Sequence, residues 1–214
     1  MYEVEIVPVA PVNSIGTKGV PRPDREAQIL RAATDHFAEH GFAGSAMADI
    51  AQRAGISKPL IYQYFGSKEH LYGLCLDSVS QAVLAKVDAV VREISPNLDG
   101  AVKTLHALFE ALEGNPQRWL LIHDPTLPSG SLRETARKHR DVTARLAADG
   151  ARDFLRSRGN DDPDDASALT FAWMGIIHSM VRWWIEHPDQ SAEQMTQRSV
   201  RLFLAVLADA GSVG

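Results

Sequence analysis

The chain has 214 residues, of which 45% are apolar, and a formal net charge of −5. A chain of this size can build one large domain or two small ones around a substantial core. The acidic balance excludes a protein that is basic throughout, so any contact with nucleic acid requires a local cationic patch. The lone Cys75 excludes an internal disulfide and suits a reducing compartment.

No targeting or membrane-spanning segment is predicted. The first ten residues, MYEVEIVPVA, lack the basic residue and the apolar stretch of a secretory signal. The longest uncharged run, residues 166–181, is too short to cross a bilayer comfortably and contains polar side chains. We therefore expect a cytoplasmic protein without a membrane partner.

Residues 1–23 are predicted to form an extended or disordered N-terminal arm. Val4 and Ile6 alternate with glutamates as in a short strand, but no second strand is evident to pair with it. Prolines and glycines exclude a helix here. The prolines are Pro8, Pro11, Pro21 and Pro23. Lys18, Arg22 and Arg25 could enter a minor groove if the arm follows DNA, and a solvated tail is the alternative.

From residue 24 onward the apolar spacing is helical, and about nine helices without a sheet are predicted. Ile29, Ala33 and Phe37 recur every four residues before Gly41, which ends the first helix. Caps and breakers place the later boundaries. The later helices cover 67–93, 99–113, a short segment from 116, 132–158, a segment from the acidic run 161–165 to the break at 187–188, and a final segment from 191, capped by Ser191 and Gln194.

Two short helices separated by a tight turn are predicted within residues 41–64. Gly55 permits the left-handed backbone conformation that such a turn needs. Ser57 can cap the second of these helices, and Pro59 suits its first turn. Because helices this short are unstable alone, the helix at 24–40 must cover them. The pattern indicates a three-helix unit that presents the N-terminus of its last helix outward.

The segment GISKPLIYQYFGSK, residues 55–68, concentrates three aromatic side chains on that last helix. Ile61 and Phe65 lie four residues apart and share the buried face, whereas Tyr62 and Tyr64 lie off it. Phenolic hydroxyls and lysines are donors suited to phosphate oxygens. We expect the two tyrosines to contact a partner; the alternative is that they pack inside the fold.

The segment 29–74 resembles the N-terminal DNA-binding domain of the TetR family of transcriptional regulators. The residues that carry the resemblance are Ala33, Phe37, Gly41-Phe42, Ile50-Ala51, Ala54-Gly55-Ile56-Ser57, Tyr62, Tyr64-Phe65 and Lys68-Glu69. The remainder matches the family only in length and helical character. The resemblance implies an all-α protein with a helix-turn-helix DNA-binding domain at 24–70 and a ligand-binding and dimerisation domain at 71–214.

The resemblance also implies which side chains meet DNA. They are Ser45, Ser57, Lys58, Pro59, Leu60, Tyr62, Gln63, Tyr64 and Lys68. Phosphate contacts are expected from the two lysines and Tyr62. Pro59, Leu60 and Gln63 would lie nearest the bases, and the Gln63 amide suits the N6/N7 edge of adenine.

Position 46 departs from the family pattern. The family usually has Thr or Ser where this chain has Ala46, and that hydroxyl caps the helix or meets a phosphate. Its absence can cost about 1 kcal/mol of capping or shift the backbone contact to Ser45. Charge favours the site locally, because Arg53, Lys58 and Lys68 outnumber the single acidic residue between positions 45 and 68.

The last two helices are predicted to pair two subunits. A helix-turn-helix reads few base pairs, so a homodimer on a palindromic operator in double-stranded DNA is expected. Small residues allow close helix approach, and a broad apolar face suits burial on two sides. The residues are Ala168, Ala172, Gly175 and Ser179 on one helix and Leu202, Phe203, Val206 and Leu207 on the other. The alternative is a single monomeric core.

Aromatic and polar side chains of the middle helices are predicted to line a pocket for a small-molecule effector. The candidates are His106, Phe109, Trp119, His123, Trp173, Ile177 and His178. Ordinary core packing with hydrogen-bonded histidines is the alternative for each of them. Trp183 and Trp184 point to opposite sides of one helix, so at most one of them can join the pocket.

No catalytic, metal or cofactor site is predicted, and the protein is not expected to be an enzyme. His36 and His40 have the spacing of a metal pair but no evident third ligand, so they are interpreted as surface residues near a helix end. Cys75 has no cysteine partner and is expected to pack. Nucleophile motifs, glycine-rich phosphate loops and paired carboxylates are absent from the sequence.

The function that follows from the resemblance is a ligand-responsive regulator, expected to be a repressor. The effector would favour a dimer whose two recognition helices no longer fit successive major grooves. The rival hypothesis is an all-α small-molecule-binding protein or enzyme with a degenerate helix-turn-helix.

Overall fold

The computed structural model describes residues 21–95 and 97–210, with side chains described up to residue 205. Within these ranges the fold is all-helical, with nine α-helices and one short 3₁₀ helix, as predicted. The helices are α1 (Arg22–His40), α2 (Met47–Arg53), α3 (Lys58–Phe65), α4 (Lys68–Val91), α5 (Leu98–Leu112), the 3₁₀ helix (Pro116–Arg118), α6 (Trp119–Ile122), α7 (Ser131–Arg156), α8 (Pro163–Ile185) and α9 (Ala192–Ala210).

The first helix starts inside the predicted N-terminal arm. It begins at Arg22, and Pro23 occupies its first turn, where a proline loses no helical hydrogen bond. The prediction that the arm extends to residue 23 is therefore wrong at its end. The strand-like pattern at Val4 and Ile6 and the cation Lys18 lie outside the described residues.

Side-chain caps fix several helix starts. Ser67 Oγ accepts a hydrogen bond from the His70 amide at 3.1 Å and caps α4, as predicted. At α9, the Gln194 amide donates to Ser191 Oγ, and the Ser191 amide donates to Gln194 Oε1, which confirms the predicted capping box. Ser57 stands at the N-cap position of α3, but its side chain makes no capping hydrogen bond.

One core connects the N-terminal helices to the rest of the chain. The face of α1 formed by Ile29, Ala33 and Phe37 is at most 1% exposed and covers α2 on one side and α4 on the other. From α4 the buried cluster continues without a break through α5, α6 and α8 to Met195 on α9. Helices α7 and α8 pack against each other, as do α5 and α9.

We call the unit formed by α1, α2 and α3 the head, and the helices from α4 onward the body. In the described ranges, no helix combines the length and the apolar character that crossing a lipid bilayer requires.

Candidate nucleic-acid interface and effector cavity

The turn between α2 and α3 is a tight bend held by backbone hydrogen bonds. Gly55 has a φ of 67°, a left-handed conformation that costs least for glycine. The amide of Ile56 donates to the Ala51 carbonyl at 2.9 Å. From α1, Gln28 Nε2 donates to the Ala54 carbonyl at 2.9 Å. The bend and its support on α1 hold α3 in a fixed direction on the head.

Helix α3 has one buried side and one exposed side. Ile61 and Phe65 are buried in the core, as their spacing predicts. The opposite side carries Tyr62, whose side chain is 43% exposed despite its size, and Gln63, which is also exposed. At the N-terminus of the helix Ser57, Lys58 and Pro59 are exposed, and Leu60 is half-buried. These six residues form a continuous polar and aromatic surface, which we call the α3 face.

Tyr64, Arg22 and Arg25 lie outside the α3 face. The ring of Tyr64 is half-buried against the core, and the Arg22 guanidinium lies 5.4 Å from its centroid. Arg25, considered above as a DNA contact, is buried, and its Nη1 donates to Gln28 Oε1 at 2.8 Å. Arg25 thus supports the α2–α3 turn through Gln28 and is not available to a minor groove, which corrects that prediction.

Ser45 and Lys68 have internal roles that the sequence did not reveal. Ser45 is 4% exposed, and its hydroxyl donates to the Gly41 carbonyl at 2.7 Å. Lys68 Nζ donates to the carbonyls of Phe42 and Ser45 at 2.9 and 3.0 Å and lies 4.1 Å from the Phe42 ring centroid. Both side chains satisfy the carbonyls of the α1–α2 turn. These contacts do not support the prediction that the two side chains contact DNA, which stays a prediction.

The cationic surplus of the head is smaller than the sequence indicates. Arg53 makes two hydrogen bonds to the Glu39 carboxylate, at 2.5 and 2.7 Å, and this contact lowers the pKa of Glu39. Ala46 is the N-cap of α2 and has no side-chain group to cap it. With Arg53 paired and Lys68 turned inward, Lys58 remains as the cation of the α3 face, without a carboxylate within 4 Å among the described residues.

Asp124 joins the body to the head and was missed by the sequence analysis. Its Oδ2 accepts from the Phe42 amide at 2.7 Å and from the Tyr72 hydroxyl at 3.2 Å. Beside it, Thr126 Oγ1 accepts from the Ala43 amide at 3.2 Å. A second contact pairs Arg118 with Asp35 on α1 at 2.8 Å. We call residues 123–127, the segment after α6, the joint loop.

The sequence could predict that Tyr72 is buried and needs a hydrogen-bond partner, but it could not predict which residue is that partner. Tyr72 lies in the apolar stripe of α4 beside Leu71 and Leu76, and a buried phenol needs a hydrogen-bond partner. Burial and the nearby Asp124 carboxylate raise the pKa of Tyr72 above its usual value. Nothing local identifies the acceptor, because Asp124 lies 52 residues further along the chain.

Three of the predicted pocket residues form a cluster of tilted rings between α6 and α8. The rings of Trp119 and His123 are 4.6 Å apart, and those of His123 and His178 are 5.0 Å apart. Trp119 Nε1 donates to His178 Nδ1 at 3.3 Å. Burial lowers the pKa of His123 to about 4, and burial also lowers that of His178, so both rings are neutral at pH 7.

The other predicted pocket residues do not join that cluster. Phe109 and Ile177 are buried in the core, and Phe109 packs edge-to-face on Trp184 at 5.6 Å. Trp173 stacks on Phe203 at 5.4 Å and so connects α8 to α9. His106 Nδ1 lies 3.2 Å from Thr196 Oγ1, at the contact between α5 and α9. The seven residues do not share one pocket, because these side chains face different neighbouring helices; that a subset of them lines an effector pocket stays a prediction.

Two cavities border these groups. The larger, about 800 Å³, lies between the end of α4, α5 and α9. Its lining includes Val90, Ile94, Val102, His106, Thr196 and Arg201. The smaller, about 230 Å³, is lined by His123, Asp124, Pro125, Leu127, Arg133 and Arg140. Of the seven predicted residues, His106 lines the larger cavity and His123 the smaller one.

An exposed apolar surface lies on α8 and α9. Ala168, Ala172, Gly175 and Ser179 are all exposed on α8, as the predicted small-residue stripe requires. Phe171, which the sequence analysis did not single out, is 79% exposed. On α9, Leu202 and Leu204 are about half exposed and Phe203 is half-buried by Trp173. Val206 and Leu207 lie beyond the described side chains.

Two residues set aside as unreactive are both buried. His36 is not the surface residue that was predicted: it is buried and stacks on His40 at 4.4 Å, and burial lowers its pKa. Cys75 is fully buried, as expected for a packing residue, and burial raises its pKa to about 12. Among the side chains described, no group of three or more potential ligands is arranged to hold a metal ion.

A short recognition helix held by a three-helix head, joined to a larger helical body, is the architecture of helix-turn-helix transcriptional regulators. Residues 29–74 match the sequence family described as bacterial regulatory proteins, tetR family. The chain is thus similar to TetR-family transcriptional regulators, and the family match lies in its N-terminal domain.

Curated relatives show the same assignment over different lengths. The transcriptional activator FasR of Mycolicibacterium smegmatis is 28% identical over 188 residues, which cover 74% of this chain and 86% of FasR. The transcriptional repressor Rv3405c of Mycobacterium tuberculosis is 45% identical over 56 residues, 26% of this chain and 30% of Rv3405c. Identity is thus higher over the shorter match than over the longer one.

Solved structures share the fold over most of the chain. FadR of Bacillus subtilis, in complex with stearoyl-CoA, has a TM-score of 0.66 and 17% identity, covering 82% of this chain and 96% of FadR. AibR, in complex with isovaleryl coenzyme A and operator DNA, has a TM-score of 0.67 and 19% identity, covering 83% of this chain and 97% of AibR.

Proposed function

We propose that the chain is a homodimeric regulator that binds a palindromic operator through the α3 face and responds to a small-molecule effector in the body. The observation that carries the proposal is the exposed side of α3, where Lys58, Tyr62 and Gln63 extend from a helix whose other side is buried. No role in this proposal requires catalysis, and the protein is proposed not to be an enzyme and to act in the cytoplasm.

Some residues of the α3 face would position the protein on DNA, and others would recognise the base sequence. Lys58 and the Tyr62 hydroxyl suit phosphate oxygens, which fix the register on DNA without reading bases. Gln63 suits an adenine edge in the major groove. We propose that the DNA-binding and ligand-binding functions divide between residues 70 and 71. This is not a structural boundary, because α4 runs through it as one helix.

A dimer is supported by the exposed surface of α8 and α9. Phe171 and Leu202 would leave much apolar area in water in a monomer, and the small residues of α8 allow a second copy to approach closely. A two-fold pair of heads would meet two half-sites about one helical turn apart.

The larger cavity is the proposed effector site. Its volume of about 800 Å³ lies within the usual range for small-molecule sites. Apolar side chains of Val90, Ile94 and Val102 can cover a hydrocarbon, and His106 and Arg201 can meet polar groups. Because two proteins of this fold are known with acyl-CoA ligands, acyl-CoA thioesters are the first effectors to test.

DNA binding is tested by fluorescence anisotropy with DNA from the promoter region beside the gene. We expect salt-sensitive, saturable binding to a palindrome. Tyr62→Phe should weaken all sequences alike, whereas Gln63→Ala should relax the preference at one base position by about 1–3 kcal/mol. His70→Gln, at an exposed residue of α4 outside the face, is the control. Absence of binding at low salt would instead favour the rival, a small-molecule-binding protein or enzyme with a degenerate helix-turn-helix.

The effector site is tested by titrating the DNA complex with acyl-CoAs of increasing chain length. An effector that binds the DNA-free form more tightly must release the operator, and we propose repression relieved in this way. Val102→Trp should fill the cavity and abolish the response while leaving operator affinity unchanged. A variant that still responds would show that the effector binds elsewhere. A reporter driven by the same promoter gives the sign of regulation.

A further inference from the structure

The smaller cavity, which we call the joint cleft, lies where the body holds the head. Its lining is formed by one side of α7, through Arg133 and Arg140, and by the joint loop. It shares no lining residue with the proposed effector cavity. The same loop carries Asp124, whose carboxylate accepts the Phe42 amide of the head.

Two guanidinium groups border this cleft without an acidic partner. Arg140 Nη1 donates to the Ile122 carbonyl at 2.6 Å, and Arg133 donates to the Leu127 carbonyl. Within the described part of the chain, neither arginine lies within 4 Å of a carboxylate. A guanidinium has five N–H donors, so each arginine retains several for another acceptor.

The carboxylate that also lines the cleft is already occupied. Asp124 Oδ2 accepts from the Phe42 amide and the Tyr72 hydroxyl, and Oδ1 accepts from the amide and the hydroxyl of Thr126 at 2.7 and 2.6 Å. These four bonds direct its lone pairs toward the head and its own loop. With His123 neutral, the cleft has two positive charges against one negative charge.

We infer that the joint cleft binds a small anionic group, a carboxylate or a phosphate, between Arg133 and Arg140. Planar guanidinium groups bind both kinds of oxyanion with paired hydrogen bonds. A volume of about 230 Å³ accommodates such a group with a few further atoms.

An anion bound in the cleft would stabilise the contacts between the joint loop and the head. Arg140 holds the carbonyl of Ile122, which precedes the joint loop, and Arg133 holds that of Leu127, the last residue of the loop. An anion bound by both arginines binds only the conformation in which the loop is held in this way, so it stabilises that conformation over others. The amides of Phe42 and Ala43, which donate to Asp124 and Thr126, are then protected more strongly.

The test is an NMR titration of the full chain at constant ionic strength, with chloride replaced by inorganic phosphate in one series and by acetate in another. We expect saturable shifts of the His123 ring, a rise of its pKa because an anion favours the imidazolium, and slower hydrogen exchange at Phe42 and Ala43. Saturation with phosphate alone, or with acetate alone, supports the site and identifies the kind of group. Absence of saturation with both probes overturns the proposal.

Matched variants separate the site from general charge effects. Arg140→Gln should weaken binding of the effective anion by roughly tenfold or more, because one charge-assisted contact is lost. Arg137→Gln removes the same charge from an exposed position of α7 outside the cleft and should change the affinity less than about twofold. Equal losses in the two variants would contradict a site. Because this titration contains no DNA and no effector, its outcome is independent of the proposed function.

Discussion

The head and the body each contain an aromatic cluster, and the two clusters are arranged in opposite ways. In the head, Tyr62 stands in solvent on a helix of eight residues, with Phe65 on the buried side. In the body, Trp119 is buried and His123 is half-buried, and their ring centroids lie 4.6 Å apart. Helix α3 lies at the surface and has one side to bury, so its aromatic residues divide between core and surface, whereas α6 packs against α1, α4 and α7 and can bury side chains on several sides.

The polar groups of the two clusters therefore differ in whether they have hydrogen-bond partners inside the fold. Among the described residues, the polar side chains of the α3 face make no hydrogen bond, and we propose that they contact DNA. Those of the body cluster are satisfied internally, as Trp119 Nε1 is by His178 Nδ1. Substitutions in the head should therefore change binding with little loss of stability, and substitutions in the body should do the reverse.

The largest expected effect contrasts two adjacent tryptophans of α8. Trp184 is fully buried, packs on Phe109 and donates to the Gln190 carbonyl at 2.7 Å, so Trp184→Ala should lower the free energy of unfolding by about 3–5 kcal/mol. Trp183 is half-buried and stacks on His187, so Trp183→Ala should cost only about 1 kcal/mol. Urea unfolding followed by circular dichroism measures both. Equal losses would refute the burial assigned to Trp184.

Tyr72 tests the junction between the two regions. Tyr72→Phe keeps the ring packed against Phe37 but removes the donor to the Leu121 carbonyl and to Asp124. Leaving such buried acceptors unpaired should lower the free energy of unfolding by about 1–3 kcal/mol. Tyr64→Phe removes a hydroxyl that makes no hydrogen bond within the described residues and should cost less than about 0.5 kcal/mol. Thermal denaturation of both variants measures these losses. If Tyr72→Phe is as stable as the Tyr64→Phe control, the Tyr72 hydrogen bonds do not stabilise the junction.

His123 makes the body sensitive to acid. Its pKa is about 4 in the folded chain and about 6.5 unfolded, so the unfolded state binds the additional proton as the pH falls. Stability from this group is complete above pH 6.5 and is lost progressively toward pH 4. At pH 5, wild type should therefore have lost roughly 1–2 kcal/mol more than His123→Gln, relative to pH 7. Exposed His70→Gln is the control in urea titrations at both pH values, and parallel losses in all three proteins would contradict the burial of His123.

The contrast also explains what the sequence could predict. Helix boundaries followed from local signals, such as Ser67 and the Ser191–Gln194 pair, and the structure confirms them. The buried stripe of α3 followed from its spacing alone. The cavity residues did not, because which neighbour a buried side chain faces depends on long-range packing. His106 and Trp173 both face α9, whereas Trp119 faces α8.

Two polar residues near the recognition helix have internal contacts that the sequence did not predict. The family resemblance assigns both Ser45 and Lys68 to DNA contact. The α1–α2 turn leaves the carbonyls of Gly41, Phe42 and Ser45 without helical partners, and these two side chains supply the donors. A sequence pattern does not reveal that demand, because it depends on how the turn is closed in three dimensions.

The smallest expected effect compares two lysines, Lys58 on the α3 face and Lys68 at the start of α4. Lys58 is exposed on the α3 face, so Lys58→Ala should reduce the slope of log affinity against log salt by about 1 and leave stability within about 0.5 kcal/mol. Lys68→Ala removes two hydrogen bonds and the contact with Phe42, so it should cost roughly 1 kcal/mol of stability and leave the salt slope unchanged. Anisotropy titrations between low and physiological salt, paired with urea unfolding, measure both quantities. If Lys68→Ala changes the salt slope as much as Lys58→Ala, the ammonium group of Lys68 leaves the turn when DNA binds, and the contrast drawn between the two lysines fails.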